Sequence, residues 1–577
     1  MWGRKTLIAL ALILPAELVS GFQGHRKLSS DLQSVSSSDM VDVIVQFKQQ
    51  PSAHHHQKIT NRGGRLNREL GFIRAGAYRM PARSIKDLAD DDEVAYISPD
   101  RPLTSMTSVA NDYHTGSINA ASAWNAGLDG AGVGVVVIDS GIVSNSPDLT
   151  AGNMLSYNLV SGTSNPYDEY GHGTHVAGII AGNGASSAGY GYTYTFKGIA
   201  PGAKIYSLKV LDKNGVGTDS QVIQAIYGAI QYKDYYNVRV INLSLGRGVY
   251  ESYKTDPLCQ AVEAAWKAGI VVVVAAGNDG RNNAAGTNGY GTINSPANDP
   301  YVITVGAVNT RGSASRTNDL PASYSSKGPT LWDQVIKPDL VAPGNLVISL
   351  YQQGAGLQLA NQNPGNVVPY SIYKSYGSSV GSSNYFVLSG TSMAAPMVSG
   401  AVALMLQKNP ALTPDQVKAR LMKTAFKGLV RSATVSDVAT GASYKVQSDI
   451  LTVGAGELDI QAALANYDLA PSTAGSALSP LARVNSAGAV VGVVNGNSIL
   501  WGSSILWGSS ILWGSSALSG TDVQGNSILW GASSLQADSI LWGSSTVNSE
   551  SILWGASILW GSNSGTPDAS AATLGDE

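Results

Sequence analysis

Five short runs dominated by apolar residues limit what this chain can fold into: Val133–Ile138, Ile205–Val210, Val238–Leu245, Ile270–Ala276 and Val302–Val308. Each is strand-length, and most lack the polar alternation of a strand with one wet face. They therefore predict parallel strands covered on both sides. Helical patterns fall between several of them, at Ser220–Tyr232 and Pro257–Ala268. Two more follow Ser392, one to about Lys408 and one over Pro414–Ala425. The last is opened by Thr413 as N-cap, Pro414 in the first helical position and Gln416 closing a capping box. Strands alternating with helices predict an α/β fold, a doubly wound parallel sheet. Chemistry in such a sheet gathers at the carboxyl ends of the strands.

The chain has 577 residues, so this sheet accounts for only part of it. Arg4 and Lys5 precede an apolar run, Leu7–Leu14, closed by Pro15 and followed by Val19, Ser20 and Gly21. That layout predicts a secretory signal over 1–21, with a run too short to span a bilayer comfortably. Residues 39–106 carry a second pattern: a strand at Val41–Phe47, a helix over Ser52–Arg68, an alternating strand at Phe72–Met80, a helix at Ser84–Ala89 and a strand at Val94–Ile97. These predict a small α+β unit with two helices on one sheet. The α/β region then occupies 111–469, and a low-complexity tail runs over 471–577. Net charge is only −3, without the basic excess of a nucleic-acid binder. The single cysteine, Cys259, excludes an internal disulfide and is expected to be a small buried hydrophobe.

Three segments carry chemistry. A strand-like run ends in Asp139-Ser-Gly141. Gly171-His172-Gly-Thr-His175-Val-Ala-Gly178 opens a helix with a histidine, and Gly390-Thr-Ser392-Met-Ala-Ala-Pro396 opens another with a serine. A serine hydroxyl is a weak nucleophile and needs a base. The base needs a third group to fix its tautomer and stabilise the imidazolium. A fourth segment ends a strand in Ala275-Ala276-Gly277-Asn278, whose amide can donate to an oxyanion beside the N–H groups at the Ser392 helix start. Only three of the seven histidines, His114, His172 and His175, lie beyond residue 106, and His172 has the context of a base.

Together these strings resemble the subtilisin-like serine peptidase family, in the chain order Asp, His, Ser and with the last two 220 residues apart. The resemblance extends over most of 111–469 and includes Val240–Gly246 and Val341–Gly344. It implies a secreted serine endopeptidase with Asp139 orienting the base, His172 as the base, Ser392 as the nucleophile and Asn278 completing the oxyanion hole. His175 is expected to be a packed helical residue. Ser244, Leu245 and Gly246 on one side and Ala275, Ala276 and Gly277 on the other would wall the primary pocket. Small apolar walls imply broad cleavage after bulky apolar residues, with Asp279 at the rim.

The resemblance also implies that 39–106 is an inhibitory pro-domain, cut off by the enzyme itself within Asp100–Asp112. No cofactor is needed for the chemistry. Asp148 matches a family calcium ligand, although the loop Asn183–Phe196 departs from the family pattern, so a structural calcium is an open expectation. Gln352–Tyr385 is an insertion relative to compact members, either near the cleft or a plain surface loop. Partners would be protein or peptide substrates and the pro-domain. In the tail, Ile-Leu-Trp-Gly occurs seven times, with little charge between the copies. It predicts self-association, attachment to a surface or a removable extension. Two rival readings are a protease-shaped adhesion protein without activity and a sedolisin-like acid peptidase. The second would use a glutamate base and an oxyanion aspartate, where this chain has His172 and Asn278.

Overall fold

The computed structural model describes residues 27–29, 32, 36–100, 102–104 and 114–484, apart from 144, 150–153, 285, 352–356, 376–379 and 438–441, together with the strand backbone at 490–493, 523–524 and 535–536. The expected signal, most of the self-cleavage region and most of the tail lie outside the described residues.

The first unit comprises β1 (Met40–Phe47), α1 (Ala53–Thr60), β2 (Arg65–Leu70), β3 (Ala75–Pro81), α2 (Ile85–Ala89) and β4 (Val94–Pro99). The strands form an antiparallel sheet in the order β2-β3-β1-β4. Ile59 of α1 and Ile85 and Leu88 of α2 pack with Val43, Val45 and Phe47 on one face. The expected helix over Ser52–Arg68 is corrected: α1 stops at Thr60, and Arg65–Leu70 is a strand. Gly63 (φ +79°) turns the chain in a conformation that side-chain-bearing residues rarely adopt, so the polar stretch cannot continue as one helix.

The main unit continues with β5 (Pro102–Thr104), β6 (Gly134–Asp139), β7 (Met154–Asn158), α3 (His172–Ala181), β8 (Lys204–Lys209), β9 (Val216–Thr218), α4 (Asp219–Gln231), β10 (Val238–Leu243), α5 (Pro257–Lys267), β11 (Val271–Ala275), β12 (Ile303–Asn309), β13 (Leu320–Pro321) and β14 (Leu340–Pro343). Then come β15 (Val347–Leu350), β16 (Val367–Pro369), β17 (Gly381–Leu388), α6 (Thr391–Lys408) and α7 (Pro414–Thr424). The central sheet runs β13-β12-β11-β10-β6-β8-β7, with β14 also pairing with β12; all pairs but β12–β13 are parallel. Every residue of β6, β11 and β12 is buried, which is why their sequences do not alternate. Helix α3 packs on α6, and α4 packs on α5. The doubly wound α/β class read from the sequence is the observed one. Cys259 is buried in α5 and unpaired with any other cysteine.

The two units are joined by more than the chain. Phe72 stacks on Tyr227 of α4, with ring centroids 5.1 Å apart. Gln46 Nε2 donates to the Thr255 carbonyl at 2.7 Å. Asp100 Oδ1 accepts the Ser220 N–H at 2.7 Å, in the first turn of α4. The short strand β5 pairs antiparallel with β9, Leu103 opposite Gly217.

Candidate active site

Three strand ends and two helix starts converge. Asp139 ends β6, Ser244 follows β10, and Ala276–Asn278 follow β11; His172 opens α3, and Ser392 lies in the first turn of α6. The close approach of α3 to β6 requires Gly173: a methyl group there would lie 2.2 Å from the Gly141 carbonyl oxygen.

Asp139 and His172 are buried and paired. His172 Nδ1 lies 2.8 Å and 2.9 Å from the two Asp139 carboxylate oxygens. An ionised carboxylate only accepts, so Nδ1 is the donor of this pair and Nε2 is the ring nitrogen turned to the other side. His172 Nε2 has no hydrogen-bond partner. Ser392 Oγ does not reach for it; it donates to the Ser244 carbonyl at 3.1 Å. The structure thus forms the aspartate–histidine half of the expected constellation, with the serine hydroxyl bonded to the Ser244 carbonyl instead of the imidazole.

Pro396 explains the attachment of Ser392 to Ser244. Proline has no N–H, so the Ser392 carbonyl loses its helical donor four residues on. Ser244 Oγ supplies the missing bond at 2.8 Å, and is itself the acceptor of Asn242 Nδ2 at 2.9 Å. The serine helix is therefore tied to the end of β10.

Asn278 is oriented by Thr391. Its Oδ1 accepts both the Thr391 N–H and the Thr391 hydroxyl, each at 2.9 Å. With the carbonyl end so fixed, the donor end of the amide points away from Thr391. Gly277 (φ +107°) makes the turn that presents this side chain.

The two stretches expected to wall the primary pocket, 244–246 and 275–277, follow β10 and close β11. Leu245 is buried, and Gly246 and Gly277 face a residue that the sequence alone did not single out, Asn294. A methyl group at Gly246 would lie 3.2 Å from Asn294 Cβ, and one at Gly277 would lie 2.7 Å from Asn294 Nδ2. Asn294 thus packs against both glycines. Behind the first wall, Arg247 is buried between Asp219 and Asp256, at 2.9 Å and 2.8 Å. Burial opposes its charge, but the two carboxylates outweigh it and hold the guanidinium ionised. Asp279, expected at the rim, is buried instead, and its N–H donates to Ser326 Oγ at 3.0 Å.

His175 is a packed residue. Its Nε2 lies 3.1 Å from each of the Val347 and Phe386 carbonyls. Burial, aided by His172, pushes its pKa down to about 3, so it is neutral at ordinary pH.

Asp148, the residue expected to ligate calcium, is held by two donors of this chain. Asp148 is buried, and its two oxygens accept hydrogen bonds, from the Tyr385 hydroxyl and the Ser186 N–H, each at 2.6 Å. Burial, then Asp148 itself, pushes the Tyr385 hydroxyl pKa up, keeping it a donor. Calcium needs six to eight oxygens offering lone pairs. Among the described residues, no group of three or more His, Cys, Asp or Glu side chains could hold a metal. The segment Gln352–Tyr385 supplies Tyr385 from β17 and packs Tyr373 against Phe196, with ring centroids 5.4 Å apart, so it is more than a plain surface loop. Removing the hydroxyl in Tyr385→Phe leaves a buried carboxylate short of a donor, which costs about 1–3 kcal/mol. Calorimetry should show a Tm lowered by several degrees.

Comparison with known proteins places these segments in context. The sequence profile described as the subtilase family matches residues 130–456. Serine protease AprX of Bacillus subtilis strain 168 is 42% identical over 297 residues, 50% of this chain and 60% of that protein, so the chain spans less than two thirds of this relative. Subtilisin E of the same organism is 34% identical over 430 residues, 74% of this chain and 94% of that protein. The crystal structure of fervidolysin from Fervidobacterium pennivorans superimposes with a TM-score of 0.56 at 22% identity, covering 76% of this chain and 63% of that one, a likeness of fold.

Proposed function

The chain belongs to the subtilase family of serine-type endopeptidases, and we propose that Ser392, His172, Asp139 and Asn278 hydrolyse peptide bonds in extended protein substrates. The observation that carries this reading is the buried Asp139–His172 pair, with Nε2 left without a partner.

In the reaction, Ser392 Oγ leaves the Ser244 carbonyl, turns to His172 Nε2 and attacks the substrate carbonyl carbon as its proton passes to Nε2. Asn278 and the N–H groups at the start of α6 hold the oxyanion. The C–N bond breaks, the amine departs with the proton from Nε2, and an ester to Ser392 remains. Water then attacks the ester, giving its proton to His172, and the acid product leaves as Ser392 regains a proton. No cofactor takes part in these steps.

The remaining expectations form one picture. The signal over 1–21 would send the protein out of the cell. Among the described residues, no helix is long and apolar enough to cross a membrane. The unit at 39–106 would act as the inhibitory pro-domain; its support is the β5–β9 pairing, where an extended chain lies along a strand edge leading into α4. Cleavage within 100–112 would release it. The pocket between Ser244–Gly246 and Ala275–Gly277 would take bulky apolar side chains, with Asn294 offering hydrogen bonds to polar ones. The repeat tail, 471–577, would self-associate or attach the enzyme to a surface.

The test is covalent labelling. A fluorophosphonate probe should mark the processed protein at Ser392, and Ser392→Ala should abolish both labelling and peptide hydrolysis. Undiminished hydrolysis by Ser392→Ala would sink the assignment.

A further inference from the structure

Asp168 has no part in the chemistry above, yet its carboxylate is heavily bonded and lies beside the aspartate–histidine pair. It is buried beneath the start of α3 and accepts five hydrogen bonds. They come from Ser140 Oγ (2.9 Å), Tyr170 N (3.1 Å), Gly171 N (2.7 Å), Thr174 N (2.9 Å) and Thr174 Oγ1 (2.6 Å). Ser140 carries the connection onward. Its N–H donates to Asp139 Oδ1 at 2.7 Å, and its Oγ accepts the Gly173 N–H at 2.9 Å.

The two halves of the aspartate–histidine pair arrive on different elements, β6 and α3. Their backbones meet through one carboxylate and one hydroxyl. We infer that Asp168, acting through Ser140, is a positioning residue that sets the register of His172 against Asp139. This inference rests on the peptidase reading above.

The chemistry of the carboxylate suits the task. Four of its five donors lie on the loop and first turn that carry His172, and the fifth is the neighbour of Asp139. The N–H groups at a helix start have no helical acceptors, and an anion there satisfies them in a fixed direction. Burial raises the Asp168 pKa, and the bonds from Thr174, Gly171 and Ser140 oppose that rise. An asparagine in its place would put a donor NH2 against donors. An alanine at 140 would leave the carboxylate in place and remove only the link to β6. A misplacement of about 1 Å between reacting groups costs about a hundredfold in rate.

Two variants, Ser140→Ala and Asp168→Asn, separate positioning from folding. Each should lower kcat, by about tenfold and about a hundredfold respectively, with KM within about twofold of the parent. The acid limb of kcat/KM against pH, which reports the free-enzyme base, should move to lower pH, because a looser Asp139 stabilises the imidazolium less.

A second readout does not depend on turnover. In a Ser392→Ala background, the downfield proton resonance of His172 Nδ1–H should shift upfield or broaden in both variants. Asp168→Asn has the greater chance of not folding, so Ser140→Ala decides if it fails. Folded variants with parental kcat, acid limb and Nδ1–H resonance would overturn the inference. Loss of the parent protein's own activity, with the resonance still responding to both substitutions, would overturn the peptidase reading and leave the positioning role standing.

Discussion

His172→Ala is expected to lower kcat for peptide hydrolysis by about 10⁶-fold with KM nearly unchanged, a magnitude carried over from subtilisin, where nucleophile and base act as a unit. The structure supplies the reason for the direction. Among the described residues, only His172 joins a buried carboxylate on one ring nitrogen to an unpartnered second nitrogen. His175, one turn on, is spent on two backbone carbonyls and cannot take over. The double variant His172→Ala, Ser392→Ala should be no slower than either single one, since each already breaks the unit. Asp139→Asn should cost about 10⁴-fold, because an amide facing Nδ1 favours the tautomer with its proton on Nε2, where the serine proton must go. Progress curves with a fluorogenic peptide measure all four. A His172→Ala enzyme within a hundredfold of the parent would mean that another base does the work.

Asn278→Ala is expected to cost about 10²–10³-fold in kcat, again with little change in KM. The argument is one of direction. The Thr391 N–H and hydroxyl hold the carbonyl end of the Asn278 amide, so the donor end stays aimed without needing the substrate to order it. A donor aimed in advance is worth most where negative charge develops, and an uncharged ground-state carbonyl gains less from it. The same logic makes Asn278→Asp worse than Asn278→Ala: a carboxylate would face the oxyanion with like charge. Single-turnover acylation rates separate this loss from any effect on product release. Equal losses in kcat and in substrate binding would contradict it.

Much of this was legible in the sequence, for reasons the structure makes plain. Strands β6, β11 and β12 are sealed on both faces, so their apolar runs appear without alternation. The histidine and serine motifs are contiguous because each opens a helix whose first turn carries the functional group. What stayed hidden depends on contacts between distant segments. Asp168 lies four residues before His172, but its meaning comes from Ser140, 28 residues earlier. Thr391 matters through Asn278, 113 residues away, and Tyr385 through Asp148, 237 residues away. Asn294 belongs to no motif; the absence of side chains at Gly246 and Gly277 gives it room. The stretch Ser52–Arg68 misled because its polar composition suits a helix, while the decision lay in two glycines at its centre.

The antiparallel contact of β5 with β9 has a consequence for timing. While residues 102–104 remain covalently continuous with the rest of the chain, they face that edge at a local concentration of order millimolar, which no ordinary amount of competing peptide outbids. Severing the link, as the pro-domain reading requires, would turn a tethered occupant into a freely diffusing one. On the pro-domain reading, occupancy of that edge would from then on obey mass action, so that a dense population of molecules would stay plugged and a dispersed one would open.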